Sequence, residues 1–268
     1  MSDAVDAVEG HRNLIAYSRA TTAWGSGGSF LDEGGILLFA GGSWLPVGSN
    51  GAFRTDDGIS GESMIARADA FFGQLKRGYS IKVRDTGQDA DLQVACETSG
   101  IAAFGEPVPE MICRNRLDEP QLPDGVALRP VVDEEGVRDF VAVNADAYAV
   151  YGLPADVMPD FFSKPDAVLA DPDVAMVVAY RDEHALAAAL TYVSEGTASL
   201  QWVGTVAQAR QMQLGRAVTL WATNTAFDMG ARSCTLQASP MGEPLYAKLG
   251  YETLFHYREH VRWRVPRA

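Results

Sequence analysis

The stretch Leu200-Gln-Trp-Val-Gly-Thr-Val206 begins the part of the chain that decides the fold. Its apolar residues predict a strand, the polar segment Ala207–Gln213 predicts a turn, and Gly215–Met229 follows with the pattern of an amphipathic helix. A strand that passes through a turn into a helix presents free backbone N–H groups at a positive helix end, which suits an anion. The rest of the segment predicts a strand, a short helix and a strand: Ser233–Ser239, Pro244–Tyr251 and Glu252–Val265.

Two motifs in this segment point to a known family. The turn contains Arg210-Gln-Met-Gln-Leu-Gly215, and the short helix contains Leu245-Tyr246-x-x-Leu249-Gly250-Tyr251. Together they resemble the acyl-CoA-binding half of the Gcn5-related N-acetyltransferases, the GNAT superfamily. The family loop reads Gln/Arg-x-x-Gly-x-Gly/Ala, so Arg210 and Gly215 match its ends, while Gln213 replaces the middle glycine. Glycine lets the backbone approach phosphates without a side chain, so this departure implies a reshaped or weakened site rather than a lost one.

The resemblance implies that acetyl-CoA is the acyl donor. The strand would offer its backbone to the pantetheine arm at Gly204, Thr205 and Val206, and one of their N–H groups would polarise the thioester carbonyl. The loop and the start of the helix would hold the pyrophosphate. The residues concerned are Arg210, Gln211, Met212, Gln213, Leu214, Gly215 and Arg216. Ser239 would lie near the coenzyme, although capping the helix that follows is an equally good role for it.

Acyl transfer also needs a proton donor for the leaving thiolate and a base for the amine. Tyr246 matches the tyrosine that protonates the thiolate in many family members, and its alternative role is core packing. The family often has a glutamate on the strand before the loop, where this chain has none. Glu195, at the preceding turn, is the nearest acid; a water chain or a carboxylate from the first half are alternatives. Tyr148 and Tyr151 stand where the family builds its acceptor pocket, or else pack in the core.

Composition limits the class of protein. The chain has 268 residues and a formal net charge of −13, which argues against nucleic-acid binding and suits a cationic substrate, although acidity also serves solubility alone. Cys96, Cys113 and Cys234 are odd in number and lack metal-site spacing. The N-terminus lacks an apolar signal core, and the apolar runs are too short to span a membrane. A cytoplasmic protein without membrane or nucleic-acid partners is expected.

The chain divides at a turn-rich segment, Leu117–Gly125, which reads as a linker. Residues 119–268 show the complete GNAT element order, and residues 1–118 look like a degenerate copy without a coenzyme site. The run that ends at Gly100 parallels the one that ends at Gly250, which places Cys96 opposite Tyr246. The expected fold class is therefore α/β: a tandem GNAT fold with a mixed, mostly antiparallel sheet and flanking helices. Alternatively, the two halves share only common α/β signals.

The elements predicted on either side of the linker are as follows. In the first half they are a helix at Glu62–Lys76, a strand at Tyr79–Asp85, a helix at Asp89–Ser99 and a strand at Met111–Arg116. In the second half they are a strand at Val126–Val131, helices at Glu134–Tyr151 and Pro154–Leu169, and strands at Val174–Arg181 and Ala185–Ser194.

Two further motifs carry no function. Gly25-Ser-Gly-Gly28 resembles a phosphate loop, but no lysine follows it, so it predicts a flexible loop. His256 and His260 would suit a metal only on a helix. Their segment alternates apolar and polar residues with a period of two, which predicts a strand with a basic solvent or interface face and no metal.

The resemblance implies an acyl-CoA-dependent N-acyltransferase, which most simply moves acetyl directly from acetyl-CoA to a primary amine of a small molecule. Two alternatives remain open. Gln213 and the missing glutamate would also fit a non-catalytic acyl-CoA sensor or scaffold. Nothing fixes the size of the acceptor, so a protein lysine or N-terminus is another substrate. A homodimer is an open possibility.

Overall fold

The computed structural model describes residues 3–154 and 157–264 of the chain. They form a mixed α/β structure around one 12-stranded sheet. The first half contains α1 (Asp3–Trp24), β1 (Ser29–Glu33), β2 (Ile36–Ala40), α2 (Pro46–Ser49), β3 (Asn50–Arg54), α3 (Gly61–Leu75), β4 (Tyr79–Arg84), α4 (Ala90–Thr98), β5 (Ala102–Ala103) and β6 (Val108–Cys113). The second half contains β7 (Val126–Pro130), α5 (Glu134–Tyr148), α6 (Met158–Phe161), α7 (Pro165–Leu169), β8 (Val174–Arg181), β9 (His184–Ser194), β10 (Thr197–Thr205), α8 (Leu214–Asp228), β11 (Ser233–Gln237), α9 (Glu243–Lys248) and β12 (Glu252–Arg262).

The two halves exchange a strand in the middle of this sheet. The strand order is β1-β2-β3-β4-β12-β6-β11-β10-β9-β8-β7, with β5 paired to β12 outside this path. The last strand of the chain, β12, therefore lies between β4 and β6, and β6 of the first half lies between β12 and β11. Most neighbours are antiparallel, whereas β3–β4 and β10–β11 are parallel. The division at residues 118 and 119 stays a prediction, because each half completes the sheet of the other.

The helices pack against the sheet in two separate cores. One large core joins α1, α5 and α8 to the strands of the second half, and it also takes in Leu37, Phe39 and Phe53 of the first half. A smaller core lies under α3 and α4 and contains Met64 and Phe72. Because α1 packs on β9, β10 and β12, a helix of the first half covers strands of the second half.

Two helices end in the same way. Gly100 and Gly250 have positive φ angles of 67° and 95°, a backbone conformation that glycine adopts without strain. The residue after each glycine donates its N–H back into the helix, from Ile101 to the carbonyl of Cys96 at 2.9 Å and from Tyr251 to the carbonyl of Tyr246 at 3.0 Å. The local structure therefore places Cys96 and Tyr246 at equivalent positions.

Most predicted elements are present with bounds shifted by a few residues. The linker is irregular. It is held to α8 by two hydrogen bonds: the N–H of Leu117 donates to Oδ1 of Asn224, and Nδ2 of Asn224 donates to the carbonyl of Leu117. Gly25–Gly28 is a loop. The helix predicted over Pro154–Leu169 is two short helices, α6 and α7, and residues 155 and 156 lie outside the described range. Val265, predicted to end the last strand, also lies outside it.

The polar face predicted for β12 is more buried than a solvent face would be. His260 is buried, whereas His256 is partly exposed and bonds the carboxylate of Asp85 at 3.2 Å. The segment is a strand, as its alternation predicts. Among the described residues there is no cluster of potential metal ligands. Within the same residues, no helix combines the length and apolar character needed to cross a membrane.

Candidate acyl-CoA site

The strands β10 and β11 separate where the coenzyme is expected. They pair in parallel from Thr197 with Ser233 to Leu200 with Leu236, where the register ends. Beyond that point β10 bulges against its other neighbour, β9, between Gln201 and Gly204, and Trp202 takes a positive φ of 54°. A bulge bends a strand and increases its local twist. The second half of β10 therefore turns away from β11 and leaves one of its edges open.

Thr205 is the residue whose N–H faces this opening. On the opposite side, Val206 donates its N–H to the carbonyl of Leu186 in β9 at 2.9 Å, and Thr205 pairs with Ala187. Because N–H groups alternate in direction along an antiparallel strand, the N–H of Thr205 points away from β9. Of the three backbone positions predicted to meet pantetheine, Thr205 points its N–H into the opening and finds no acceptor there among the described residues, whereas the N–H of Val206 is already used.

Gly204 has a separate steric role. A Cβ atom at this position would lie 2.6 Å from Oδ1 of Asn144 and 2.9 Å from Cβ of Ala147, both on α5. Glycine therefore lets α5 pack directly on the bulged strand. Asn144 is fully buried, and its Oδ1 has no hydrogen-bond partner among the described residues.

The loop keeps the backbone of a glycine-rich turn without the glycine. Gln211 and Gln213 have φ angles of 70° and 62°, and α8 begins directly after them. The carbonyl of Gln213 accepts the first bond of the helix, from Ala217 at 3.0 Å. The N–H groups of Leu214, Gly215 and Arg216, in the first helical turn, donate to no acceptor in the described parts of the chain. Unpaired N–H groups at the start of a helix suit an anion, and binding of the pyrophosphate by these groups stays a prediction.

The end of the strand and the start of the helix meet. A Cβ atom built on Gly215 would lie 3.2 Å from the hydroxyl oxygen of Thr205. The loop between them is fixed by the Ala207 N–H, which donates to the carboxylate of Asp146 at 2.7 Å. Arg210 and Met212 lie on this loop, where Arg210 is exposed. The free strand edge and the helix N-terminus therefore form one continuous surface.

Tyr246 lies in α9 with its ring buried, at 8% exposure. Its ring centroid is 5.9 Å from that of Tyr251, and within the described residues its hydroxyl has no hydrogen-bond partner. Burial, and then the proximity of Tyr151, raises the pKa of Tyr246, so the phenol stays protonated near neutral pH. A protonated phenol without an acceptor is suited to donate a proton.

The two tyrosines predicted for the acceptor pocket lie beside these groups. Tyr151 donates its hydroxyl to Oγ of Ser239 at 2.9 Å. Ser239 also accepts the N–H of Gly242 at 3.2 Å, so it stabilises the turn that leads into α9, whereas the N-cap position itself is Gly242 and has no side-chain hydrogen bond. The ring of Tyr148 lies 5.9 Å from that of Tyr151 and 5.3 Å from that of Trp202. Burial raises the pKa of Tyr148.

Two further aromatic residues belong to this group and were not predicted. Trp202, on the bulge, donates its Nε1 to the hydroxyl of Tyr17 in α1 at 2.7 Å. Tyr17 belongs to the first half of the chain, and its ring lies 5.8 Å from that of Trp24 in the same helix. Two aromatic residues two helical turns apart share one face of a helix. The seven-residue spacing of Tyr17 and Trp24 was the sequence signal that could have identified this face.

Glu195 is not brought to the site. It lies in the turn between β9 and β10 with a φ of 51°, whereas the open edge is at the other end of β10, near Thr205. Eight strand residues at 3.3 Å each separate the two ends by about 26 Å. A carboxylate at that distance cannot take a proton from an amine at the thioester, so the base has to be sought elsewhere.

In the first half, the position that corresponds to the open edge of β10 is filled by side chains of the chain itself. β3 and β4 pair only at Gly51–Ser80 and Ala52–Ile81. Beyond this pairing Arg54 and Arg84 both bind the buried carboxylate of Asp89, at 2.6 and 2.8 Å.

The helix end there is also occupied. Asp91 accepts the N–H of Gly61 at the start of α3, at 2.8 Å, and a Cβ atom on Gly61 would meet the backbone of Leu92 at 2.5 Å. A carboxylate of the chain therefore takes the place that a phosphate would need.

Comparison with known proteins agrees with this geometry. Residues 113–241 match the family model described as an acetyltransferase (GNAT) domain. A GCN5-related N-acetyltransferase from Kribbella flavida is similar over 96% of each chain, with 18% identity and a TM-score of 0.69. One from Sphaerobacter thermophilus, 15% identical, is similar over 89% of this chain and 84% of its own, with a TM-score of 0.63.

A tandem GNAT protein from the clavulanic acid biosynthesis pathway is similar over 100% of this chain and 98% of its own, with 14% identity and a TM-score of 0.60. No curated protein sequence matches the chain. The chain thus has the fold of tandem GNAT proteins, and its residues 113–241 match the model of a GNAT acetyltransferase domain.

Proposed function

We propose that the protein is an acyl-CoA-dependent N-acyltransferase that moves an acetyl group from acetyl-CoA to a primary amine of a small molecule. The observation that carries this proposal is the continuous surface made by the free N–H of Thr205 and the first turn of α8. A thioester and a pyrophosphate are the two parts of a coenzyme that such a surface would bind. Tyr246 and Tyr151, beside it, supply a proton donor and an acceptor wall.

The residues present fit acetyl-CoA as a substrate. The N–H groups of Leu214, Gly215 and Arg216 would hold the pyrophosphate at the positive end of α8. Gln213 takes the required left-handed conformation in spite of its side chain, so the loop retains the shape that the family obtains from glycine. The N–H of Thr205 would donate to the thioester carbonyl and polarise it.

The transfer needs a balanced movement of protons. The amine nitrogen attacks the thioester carbon, the new C–N bond forms, and the C–S bond breaks. Tyr246 gives its phenolic proton to the departing sulfur. A base takes the proton that the amine nitrogen loses, and solvent returns a proton to the phenolate.

The acceptor surface is aromatic. Tyr148, Tyr151, Trp202 and Phe161 form a contiguous group, in which the rings of Phe161 and Trp202 lie 5.1 Å apart. Aromatic faces attract cations, and the net charge of −13 favours the approach of a cationic amine. An ammonium group carried on an apolar or aromatic body is therefore the preferred acceptor.

Thiol release from acetyl-CoA, measured across a panel of aromatic, aliphatic and peptide amines, tests this function. Calorimetric titration with coenzyme A is run in parallel. Turnover with small amines supports the proposal. Tight coenzyme binding without turnover on any amine would favour the sensor, and turnover with peptides alone would favour protein acetylation.

A further inference from the structure

A carboxylate of the first half lies beside the separated strands. Glu110 is on β6, the strand that the first half inserts between β11 and β12. In the register it is opposite Gln237 on one side and Phe255 on the other. Gln237 is the last residue of β11, beyond the point where that strand parts from β10. Directly opposed residues are about 5 Å apart, so Glu110 is one strand away from the open edge.

Glu110 points to the face of the sheet that carries the acceptor aromatics. A Cβ atom on Gly10 of α1 would lie 3.5 Å from Oε1 of Glu110 and 3.2 Å from the methyl group of Thr235. The same helix carries Tyr17, which bonds Trp202. Gly10 and Tyr17 are two helical turns apart, about 10 Å along the axis. The carboxyl group and the acceptor wall are therefore covered by one helix on one face.

No ion pair explains this carboxyl group. Glu110 is 2% exposed, and its Oε2 has no hydrogen-bond partner among the described residues. The cation that acts on its pKa, Lys82 on β4, forms its ion pair with the carboxylate of Glu259, at 3.8 Å. The carboxylate of Asp146, near the coenzyme loop, already accepts the N–H of Ala207. The side chains of Thr235 and Gln237 bond the carboxyl group, but they carry no charge to balance it. A buried carboxyl group with no opposite charge and one unpaired oxygen is costly for a fold, and groups of this kind concentrate at functional sites.

The charge state of Glu110 is set by its surroundings. Burial raises its pKa to about 7, against the opposing effects of Thr235, Lys82 and Gln237. The titratable groups coupled to it by charge are Lys82 on β4, Tyr257 on β12 and Cys234 on β11, and His11 on α1 bonds the hydroxyl of Tyr257. Burial and Arg84 lower the pKa of His11 to about 4, so His11 is neutral where Glu110 titrates.

We propose that Glu110 is the general base of the acyl transfer, so that a strand of the first half completes the active site of the second. This inference rests on the proposed function. The carboxylate takes the proton that the amine nitrogen loses when it attacks the thioester carbon, directly or through one water. Tyr246 gives its proton to the sulfur in the same reaction. Proton transfer through solvent from the Glu110 carboxyl to the Tyr246 phenolate then restores both groups.

The test compares wild type with Glu110→Gln and Glu110→Asp in the full chain, with acetyl-CoA and the best amine of the panel. For Glu110→Gln we expect kcat to fall by about 10²- to 10⁴-fold with an unchanged Kd for coenzyme A. The acid limb of kcat/KM near pH 7 should disappear. Glu110→Asp should lose less activity and keep an acid limb at a different pH, because the shorter carboxyl group has a different pKa. Glu106→Gln, an exposed glutamate just before β6, serves as the control and should retain wild-type turnover.

Folding is followed by thermal unfolding of each variant. Should Glu110→Gln fail to fold, the pH profile of Glu110→Asp decides, because a structural carboxylate would not move the acid limb of that profile. Wild-type turnover and an unchanged pH profile in the folded Glu110 variants would show that Glu110 is not the general base, and would leave the proposed function intact. A wild type that acetylates no amine would overturn both.

Discussion

The phenol of Tyr151 donates a hydrogen bond of 2.9 Å to the hydroxyl of Ser239. This bond joins the segment after α5, on the side of the proposed acceptor surface, to the segment after β11, on the side of the proposed coenzyme edge. Tyr151 is 49% exposed, so the bond lies at the surface of the protein. The two substrates are therefore expected to meet under this contact.

Removing either partner should raise the KM for the amine by a few-fold, because a net hydrogen bond is worth about 0.5–1.5 kcal/mol. Tyr151→Phe, Ser239→Ala and the double variant form a thermodynamic cycle, measured through kcat/KM for the amine. Since each single variant removes the same bond, the double variant should lose little more than either one. Strictly additive losses would show that the two side chains act independently.

Tyr246→Phe should keep coenzyme binding and lower kcat by about 10²- to 10⁴-fold. The ring would still fill its buried position, whereas the proton donor for the thiolate would be gone. Calorimetric titration with coenzyme A and steady-state kinetics measure the two effects separately.

The matched control is Tyr251→Phe. This neighbouring phenol bonds the hydroxyl of Thr223 at 2.7 Å, so its loss should reduce the free energy of unfolding by about 1 kcal/mol and leave kcat in place. Full turnover of Tyr246→Phe would return Tyr246 to a packing role.

Gly215→Glu should raise the KM for acetyl-CoA before it affects kcat. The new carboxylate would stand in the first turn of α8, among the N–H groups expected to bind pyrophosphate, and would repel it. Gln208→Glu adds the same charge at an exposed loop position and should change the KM much less. Equal effects of the two variants would mean that the pyrophosphate lies elsewhere.

The helices and strands of the second half could be predicted from the sequence because the signals that define them are local. The strand, turn and helix around Gly215 are set by neighbouring residues, and the glycine that ends each of α4 and α9 does so through its own φ angle. The strand exchange was not predictable, because pairing of β6 with β11 joins residues more than a hundred positions apart. Glu195 was selected because it is near the loop in the sequence, whereas Glu110 lies beside the proposed site only because of that strand exchange.

A different signal was present for the residues that were missed. The run Val108-Pro-Glu-Met-Ile-Cys113 contains one acid in an otherwise apolar strand, and an acid in such a setting is seldom buried without a role. The helix α1 was missed although its buried Tyr17 and Trp24 share one face. Its other buried residues include Asp6, His11 and Asn13, so the helix lacks a clear apolar stripe.

Gln213→Gly should stabilise the protein without harming the coenzyme site. A residue other than glycine in the left-handed region is strained by about 1 kcal/mol or more, and Gln213 has a φ of 62°. Glycine removes this strain, although it increases the freedom of the unfolded chain, so we expect a net gain of a few tenths to about 1 kcal/mol. Chemical denaturation measures this gain, and Gln208→Gly is the control that should destabilise. A loss of stability in Gln213→Gly would show that its side chain makes a compensating contact.

Glu110 should make the stability of the wild type depend on pH. Its pKa is raised from 4.5 to about 7 by burial, so between these values the folded protein holds a proton that the unfolded chain releases. The free energy of unfolding should therefore fall as pH rises from about 4.5 to about 7.

Above pH 7 the folded protein bears the full cost of a buried, ionised Glu110, on the order of 3 kcal/mol. Glu110→Gln removes this cost and should unfold at a higher temperature than wild type at pH 8, with a smaller difference at pH 5. Calorimetric melts at the two pH values measure the effect, and the exposed control Glu106→Gln should stay within about 0.5 kcal/mol of wild type at both. If Glu110→Gln were instead less stable than wild type at pH 8, the carboxylate would be held by a favourable partner and its burial would have a structural purpose.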